Sequence, residues 1–154
     1  MKNNKKNFVT KNRKAYHDYT IFEEYEAGIV LVGTEVKSIR NGQINLKDSY
    51  AKIKNGEVFL VNCHISPYFQ AGISNHEPER ERKLLLNKRE IRKITKHIEV
   101  KGNSLIPLRV YITATGFIKV AVGLGEGKKN YDKRAALAEK QSKREIDRLR
   151  KDNY

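Results

Sequence analysis

The sequence predicts a mainly β protein: an OB-fold-like closed Greek-key barrel with flanking helices and a basic C-terminal tail that is disordered or helical. Three observations predict the barrel. Short apolar runs recur with turn residues between them, as in Asn55-Gly56 and Thr115-Gly116. One stretch alone, from Asn87, carries a full set of helix-start signals. Nearly all large apolar residues lie between positions 15 and 128, with a basic stretch on either side. At 154 residues the chain fits one domain and a tail. Residues 1–14 are expected as a flexible basic arm, 15–128 as the barrel and 129–154 as the tail.

The arm holds Lys2, Lys5, Lys6, Lys11, Arg13 and Lys14 and no acid, which predicts disorder when free. Tyr16 to Val32 mixes apolar and aromatic residues with acids and reads as one long strand. Thr34 to Arg40 reads as a short helix capped by Thr34, with Val36 and Ile39 on one face and Gly42 as its left-handed stop. Ser49–Ile53 and Val58–Val61 read as strands joined by a type I′ turn at Asn55-Gly56. Asn87 and Glu90 form a capping box, Leu86 and Ile91 a hydrophobic staple. Behind them Ile91, Ile94 and Ile98 make an apolar stripe, and Lys88, Arg89, Arg92, Lys93 and Lys96 cover the rest of the helix. Leu108–Thr113 and Phe117–Leu124 are the last strands. In the tail, Asp132 to Lys151 has good helix formers but only Leu137, Ile146 and Leu149 as large apolar residues. Such a segment is expected to be disordered alone and helical on a surface that neutralises it, or to stand as a solvated helix.

Lys and Arg number 32 against 18 Asp and Glu, a net charge of +14. Clustered charge of this size points to a polyanionic partner, nucleic acid first and an acidic membrane surface second. No apolar stretch approaches a membrane span, and the basic N-terminus has no apolar core behind it, so a cytoplasmic protein is expected. The single cysteine, Cys63, sits in an apolar run and reads as a buried small hydrophobe.

Signals for catalysis are sparse. His17, His64, His76 and His97 lack metal-ligand spacing, and Ser66 and Ser74 lie in no nucleophile-elbow pattern, so neither metal nor cofactor is expected. On a strand, Glu24 and Glu26 share a face, which suits an acid–base pair or, more simply, a solvated or base-contacting surface. Gly123-Leu124-Gly125-Glu126-Gly127-Lys128-Lys129 is no P-loop, because Val122 and Lys129 stand where that motif needs Gly and Ser or Thr. It reads as a flexible loop, either a hinge or a place where backbone N–H groups approach phosphate. Tyr131 sits in this basic hinge with no core to bury it, a position suited to base stacking.

These residues resemble the SsrA-binding protein (small protein B) family over almost the whole chain. The motifs are Asn12-Arg13-Lys14-Ala15, His17-Asp18-Tyr19, Tyr25-Glu26-Ala27-Gly28 and Gly33 through Arg40, followed by Asp48-Ser49-Tyr50. Arg82 through Asn87, and Gly127-Lys128-Lys129 with Asp132-Lys133-Arg134, complete the set. The resemblance implies an oligonucleotide-binding-fold barrel that binds the tRNA-like domain of transfer-messenger RNA and enters stalled ribosomes. There the protein replaces the anticodon arm, its tail fills the empty mRNA channel, and it performs no covalent step. It also implies transfer-messenger RNA contacts at Asn12, Arg13, Lys14, His17, Glu26, Leu85 and Asn87. Decoding-centre and mRNA-channel roles on the small subunit are implied for Lys128, Lys129, Tyr131, Asp132, Lys133, Arg134, Arg148, Leu149, Arg150 and Lys151. A monomer is expected. Asn87 has two available roles, helix cap and RNA contact, and Leu85 either packs under RNA or fills the core. Two departures stand out: Glu79 and Glu81 interrupt Arg80 and Arg82, weakening any phosphate patch there, and Ser142 replaces a bulky aromatic in the tail.

Overall fold

The computed structural model describes residues 7–152. In chain order its elements are β1 (Asn7–Lys11), α1 (Arg13–Asp18), β2 (Tyr19–Ile29), α2 (Gly33–Arg40), β3 (Ile44–Asn45), β4 (Tyr50–Lys54) and β5 (Glu57–Val61). There follow β6 (His64–Ile65), a 3-10 segment (Phe69–Ser74), β7 (Arg82–Leu85), α3 (Lys88–Ile98), β8 (Asn103–Ile112), β9 (Ile118–Gly127) and α4 (Asn130–Asp152).

The strand pairings close a ring, β4-β5-β7-β2-β9-β8, because β8 pairs with β9 on one side and reaches β4 through Ala51 and Leu105 on the other. Neighbouring strands are antiparallel. Strands β4, β5 and β7 are successive neighbours, while β2, which precedes them, lies beside β7; this is the expected Greek key. Inward residues alternate along the strands, so Val58, Leu60, Leu84, Val120, Val122 and Leu124 meet in one core. The Asn55-Gly56 turn has φ of 54° and 73°, both positive, as a type I′ hairpin demands. Helix α3 is built as its sequence predicts. Asn87 Oδ1 accepts from Glu90 N at 2.8 Å and Glu90 Oε1 from Asn87 N at 3.2 Å. Ile94 is fully buried, with Leu86, Ile91 and Ile98 packed against the core.

Four local expectations are corrected. The first concerns the arm. Residues 1–6 lie outside the described residues, but Asn7–Lys11 is strand β1, paired with β8 from Asn7↔Ile112 to Lys11↔Arg109. The reason is an open edge: β4 meets β8 only at Leu105, and β1 covers the β8 backbone beyond it. Second, the long strand starts at Tyr19 rather than Tyr16, because Asn12 caps a six-residue helix, α1, by accepting from Ala15 N at 3.2 Å. Third, Thr34 does not cap α2. Val32 occupies the cap position and donates its N–H to Glu35 Oε1 at 2.9 Å, while Thr34 Oγ1 bonds His76 Nδ1 at 2.8 Å.

Fourth, the glycine-rich stretch is no loop, since β9 continues to Gly127. A Cβ on Gly123 would lie 2.7 Å from Leu108 Cδ1 and 2.9 Å from Ile21 Cγ2; one on Gly125 would lie 2.9 Å from Ile21 Cδ1. Glycine is there so that these side chains can lie flat on the strand. They belong to a second, smaller apolar cluster of Ala15, Ile106 and Leu108, flanked by Tyr16, Tyr19 and Ile21, through which α1 docks on the outside of the barrel. The tail is helical as α4, with exposed side chains along most of its length.

Arg80 and Arg82 form no surface phosphate patch. Arg82 and Glu35 are both fully buried, with Arg82 Nε 2.5 Å from Glu35 Oε2. Arg82 also donates to the carbonyls of Cys63 (2.6 Å), Pro78 (3.0 Å) and Glu77 (3.3 Å). Arg80 Nη2 lies 2.6 Å from Glu35 Oε1. Glu81 pairs instead with Lys52 at 2.7 Å.

Burial alone would raise the Glu35 carboxyl, but bonds from Arg80, Val32 N–H and Arg82 outweigh it and hold the group below its ordinary value of 4.5. A carboxyl held low in the folded state adds stability above that ordinary value, and the contribution is lost as pH falls through the folded one. Glu35→Gln should therefore cost roughly 3–5 kcal/mol at neutral pH, since Arg82 stays buried without its countercharge. Urea unfolding should show this gap narrowing as pH drops below about 4.5; a gap that does not change with pH would refute the assignment.

Candidate nucleic-acid interface

Helix α1 turns the Asn12-Arg13-Lys14 run into two kinds of residue. Asn12 is only 5% exposed, and its amide donates to the carbonyls of Pro107 (2.9 Å) and Leu46 (3.3 Å). With Oδ1 capping the helix, its hydrogen-bonding groups are all used inside the protein. Asn12 thus positions α1. Arg13 and Lys14 are exposed. Lys14 Nζ lies 2.6 Å from Asp48 Oδ1, and that hydrogen bond and charge raise the lysine and lower the carboxyl. His17 Nδ1 is 2.8 Å from Asp18 Oδ1. Burial acts to raise Asp18, but His17 and Lys133 outweigh it and the carboxyl sits low.

Beside α1 lies the outer face of β2, β9 and β8. Glu24 and Glu26 alternate outward on β2. Arg109 of β8 bridges this face to α1: Nη2 lies 2.8 Å from Glu24 Oε2, and Nη1 is 3.4 Å from Tyr16 Oη. Burial, then a hydrogen bond to Glu26, pushes the Tyr111 hydroxyl well above the usual phenol range, so it stays protonated and donates. Glu26 is therefore an oriented carboxylate. That geometry suits acceptance from a base N–H or a 2′-OH and disfavours an acid–base role. Phe8 packs on the Tyr111 ring, with centroids 6.2 Å apart.

Leu85 pairs in register with Gly28, two residues along the same face from Glu26. It is 51% exposed, so it does not fill the core. A Cβ on Gly28 would come within 3.2 Å of Leu85 Cβ, so the glycine leaves this leucine room to stand on the surface. Asn87 follows at the tip of α3. Its Oδ1 caps the helix, and its NH2 makes no intramolecular bond among the described residues. The two roles open to Asn87 in sequence are thus divided between two atoms of one side chain.

The tail root is fastened to α1. Lys128 N donates to Asp18 O at 2.9 Å, Lys128 Nζ to Tyr16 O at 3.2 Å, and Lys133 Nζ lies 3.6 Å from Asp18 Oδ1. Lys129 and Arg134 are exposed. Tyr131 and Asp132 are in α4, but their side chains lie outside the described residues. Arg148, Leu149, Arg150 and Lys151 are exposed, about 27–32 Å along the helix axis from its start. The structure thus places Arg13, Lys14 and His17 on α1, Glu26 on β2, Leu85 on β7 and Asn87 at the start of α3, with the late tail residues at the far end of α4.

Other chemistry is sparse among the described residues. No group of three His, Cys, Asp or Glu is placed to hold a metal. Burial pushes the Cys63 thiol up to about 12, far from a reactive thiolate. His76 is bound between Thr34 and the Ile65 carbonyl. No helix is long and apolar enough to cross a membrane. Arg109, Tyr111 and Phe8 were not legible as site residues. Strand alternation alone would have put Arg109 and Tyr111 on one face, but only β1 shows where that face lies.

The division within α1 is measurable. Asn12→Ala should destabilise the fold by about 2–3 kcal/mol, combining a lost cap with two unpaired carbonyls. Arg13→Ala should stay within about 0.5 kcal/mol of the parent. Equal urea midpoints for the two variants would contradict the structural role of Asn12.

The SmpB protein family model matches residues 9–152. The SsrA-binding protein of Clostridium novyi (strain NT) is 58% identical over 151 residues, covering 98% of this chain and 96% of that protein. The SsrA-binding protein of Bacillus subtilis (strain 168) is 57% identical, covering 94% and 92%. A solved structure described as "tmRNA-SmpB: a journey to the center of the bacterial ribosome" superposes with a TM-score of 0.67 at 47% identity, covering 79% of this chain and 85% of that one.

Proposed function

The chain belongs to the SmpB, or SsrA-binding protein, family, and we propose that it is an RNA-binding adaptor for transfer-messenger RNA in the rescue of stalled ribosomes. The observation that carries this reading is the convergence on one barrel face of an oriented carboxylate, Glu26, an exposed leucine, Leu85, and a free amide, Asn87. The cations of α1 are joined to that face through Arg109. A face of this kind reads shape and base edges at short range while the cations hold phosphate. The protein acts by binding, as a monomer in the cytoplasm with its ribosomes. On the ribosome, Lys128, Lys129, Tyr131, Asp132, Lys133 and Arg134 engage the small-subunit decoding centre in place of an anticodon arm. The far end of α4, with Arg148, Leu149, Arg150 and Lys151, follows the empty mRNA channel.

Two outcomes test the division of labour. Glu26→Gln with Leu85→Ala should weaken gel-shift binding to the tRNA-like domain by about tenfold or more, with the circular dichroism spectrum unchanged. Parental affinity in that variant would remove the face from the mechanism. Truncation after Lys133 should leave the same binding within a few-fold, since the barrel and its ties to α1 remain. It should also stop peptide tagging on ribosomes stalled at message ends. Full tagging by the truncated protein would show that the tail is dispensable.

A further inference from the structure

Helix α3 carries a feature that the site above does not use. Lys88, Arg89, Arg92, Lys93 and Lys96 are all exposed, and none pairs with a carboxylate among the described residues. At 3.6 residues per turn they fall within an arc of about 140°, opposite the Ile91–Ile94–Ile98 stripe that packs on the core. They span about 12 Å of axis, one charge per two to three ångströms. A nucleic-acid duplex carries one phosphate per about 1.7 Å, so the two charge densities are well matched.

This arrangement is unfavourable for the helix itself. Lys88–Arg92, Arg89–Lys93 and Arg92–Lys96 are like-charge pairs at i,i+4, which repel. Lys88 and Arg89 stand in the first turn, where the helix dipole favours acids. A face kept only for solubility would interleave Glu with Lys and gain from both effects. Of the acids on or beside α3, Glu90 is engaged with the Asn87 N–H and Glu99 lies beyond the last turn. A helix that works against its own electrostatics is one whose charge serves something outside it.

We propose that the outer face of α3 is a phosphate clamp for a double-helical segment of transfer-messenger RNA. It extends the contact at Leu85 and Asn87 along the helix that begins at Lys88. This rests on the RNA-binding reading above. Continuity argues for that RNA as the occupant, because Asn87 is both the last residue of the proposed contact and the cap of α3.

The test uses the full chain and the isolated tRNA-like domain. Arg92→Gln, Lys93→Gln and Lys96→Gln are combined, leaving Asn87 and the capping box intact. The log–log slope of affinity against salt should become shallower by about 2, at 0.7–0.9 per phosphate contact. At 0.1 M salt the affinity should fall about 10- to 100-fold. The thermal midpoint should match or exceed the parent's, because repulsion is relieved. A companion with Arg92→Lys, Lys93→Arg and Lys96→Arg should retain the parental slope. An unchanged slope in the Gln variant overturns the proposal, even if its affinity for ribosomes falls, since that outcome gives the face to ribosomal RNA. A parent chain that fails to bind the tRNA-like domain overturns the underlying reading as well, and the two failures are distinct.

Discussion

The site depends on a charge pair that never meets solvent. Glu35 lies on α2 and Arg82 opens β7, and both are completely buried. Desolvating two ions is expensive, and such a pair is tolerated only when every remaining donor and lone pair is used. Here the guanidinium reaches one carboxylate and three backbone carbonyls, from Cys63, Glu77 and Pro78, while Arg80 and the Val32 N–H hold the other carboxylate oxygen. An apolar pair would fill the same space without direction. The planar fork instead fixes where β7 begins. That matters because side chains alternate faces along a strand, and a slip of one residue would bury Leu85 and expose Leu84. The outward position of Leu85, and the place of Asn87 two residues later, thus follow from a buried ion pair at the other end of β7.

A second constraint works by absence. Gly123 and Gly125 leave no side chain at their positions on the outer face of β9, and Ile21, Leu108 and Tyr19 occupy the space. Those residues make the floor on which Ala15 seats α1. Asn12 locks the start of α1 to the barrel, and Lys128 and Lys133 bind its end to the root of the tail. Arg13, Lys14 and His17 are therefore presented by a helix whose two ends are held by different parts of the chain. A shift of α1 would move the tail root with it, so the barrel face and the tail share one mechanical support.

What the sequence revealed was what is encoded locally. The capping box of α3, its apolar stripe and the Asn55-Gly56 hairpin each depend on residues a few positions apart, and each is present as read. What it hid depends on partners far along the chain. Asn7–Lys11 is a strand only because β4 leaves part of β8 open. Glu35 and Arg82 are 47 residues apart, and nothing local distinguishes them from surface charges. The glycines of β9 read as a loop because their purpose lies in the side chains of β2 and β8. Among site residues, Glu26, Leu85 and Asn87 came from family resemblance, which preserves positions but not roles. Asn12 belongs to the same motif, and its side chain bonds Pro107, Leu46 and Ala15 to hold α1.

The net charge of +14 is not spread evenly over the molecule. On the barrel wall, cations face carboxylates: Lys52 with Glu81, Lys83 with Glu57, Arg109 with Glu24. Exposed pairs of this kind add little stability, about 0–1 kcal/mol each. Their larger effect is to cancel the field of the wall at distances beyond a Debye length of about 8 Å. Much of the remaining positive charge lies on the exposed face of α3 and in the basic stretches at the two ends of the chain. The paired part of the wall is closer to neutral. Glu26 can accept a hydrogen bond there without opposing the overall attraction, because the attraction is exerted elsewhere. An evenly basic barrel would bind any RNA in many orientations. Keeping much of the positive charge off the paired wall, on α3 and at the basic ends of the chain, makes a non-specific force a more orienting one.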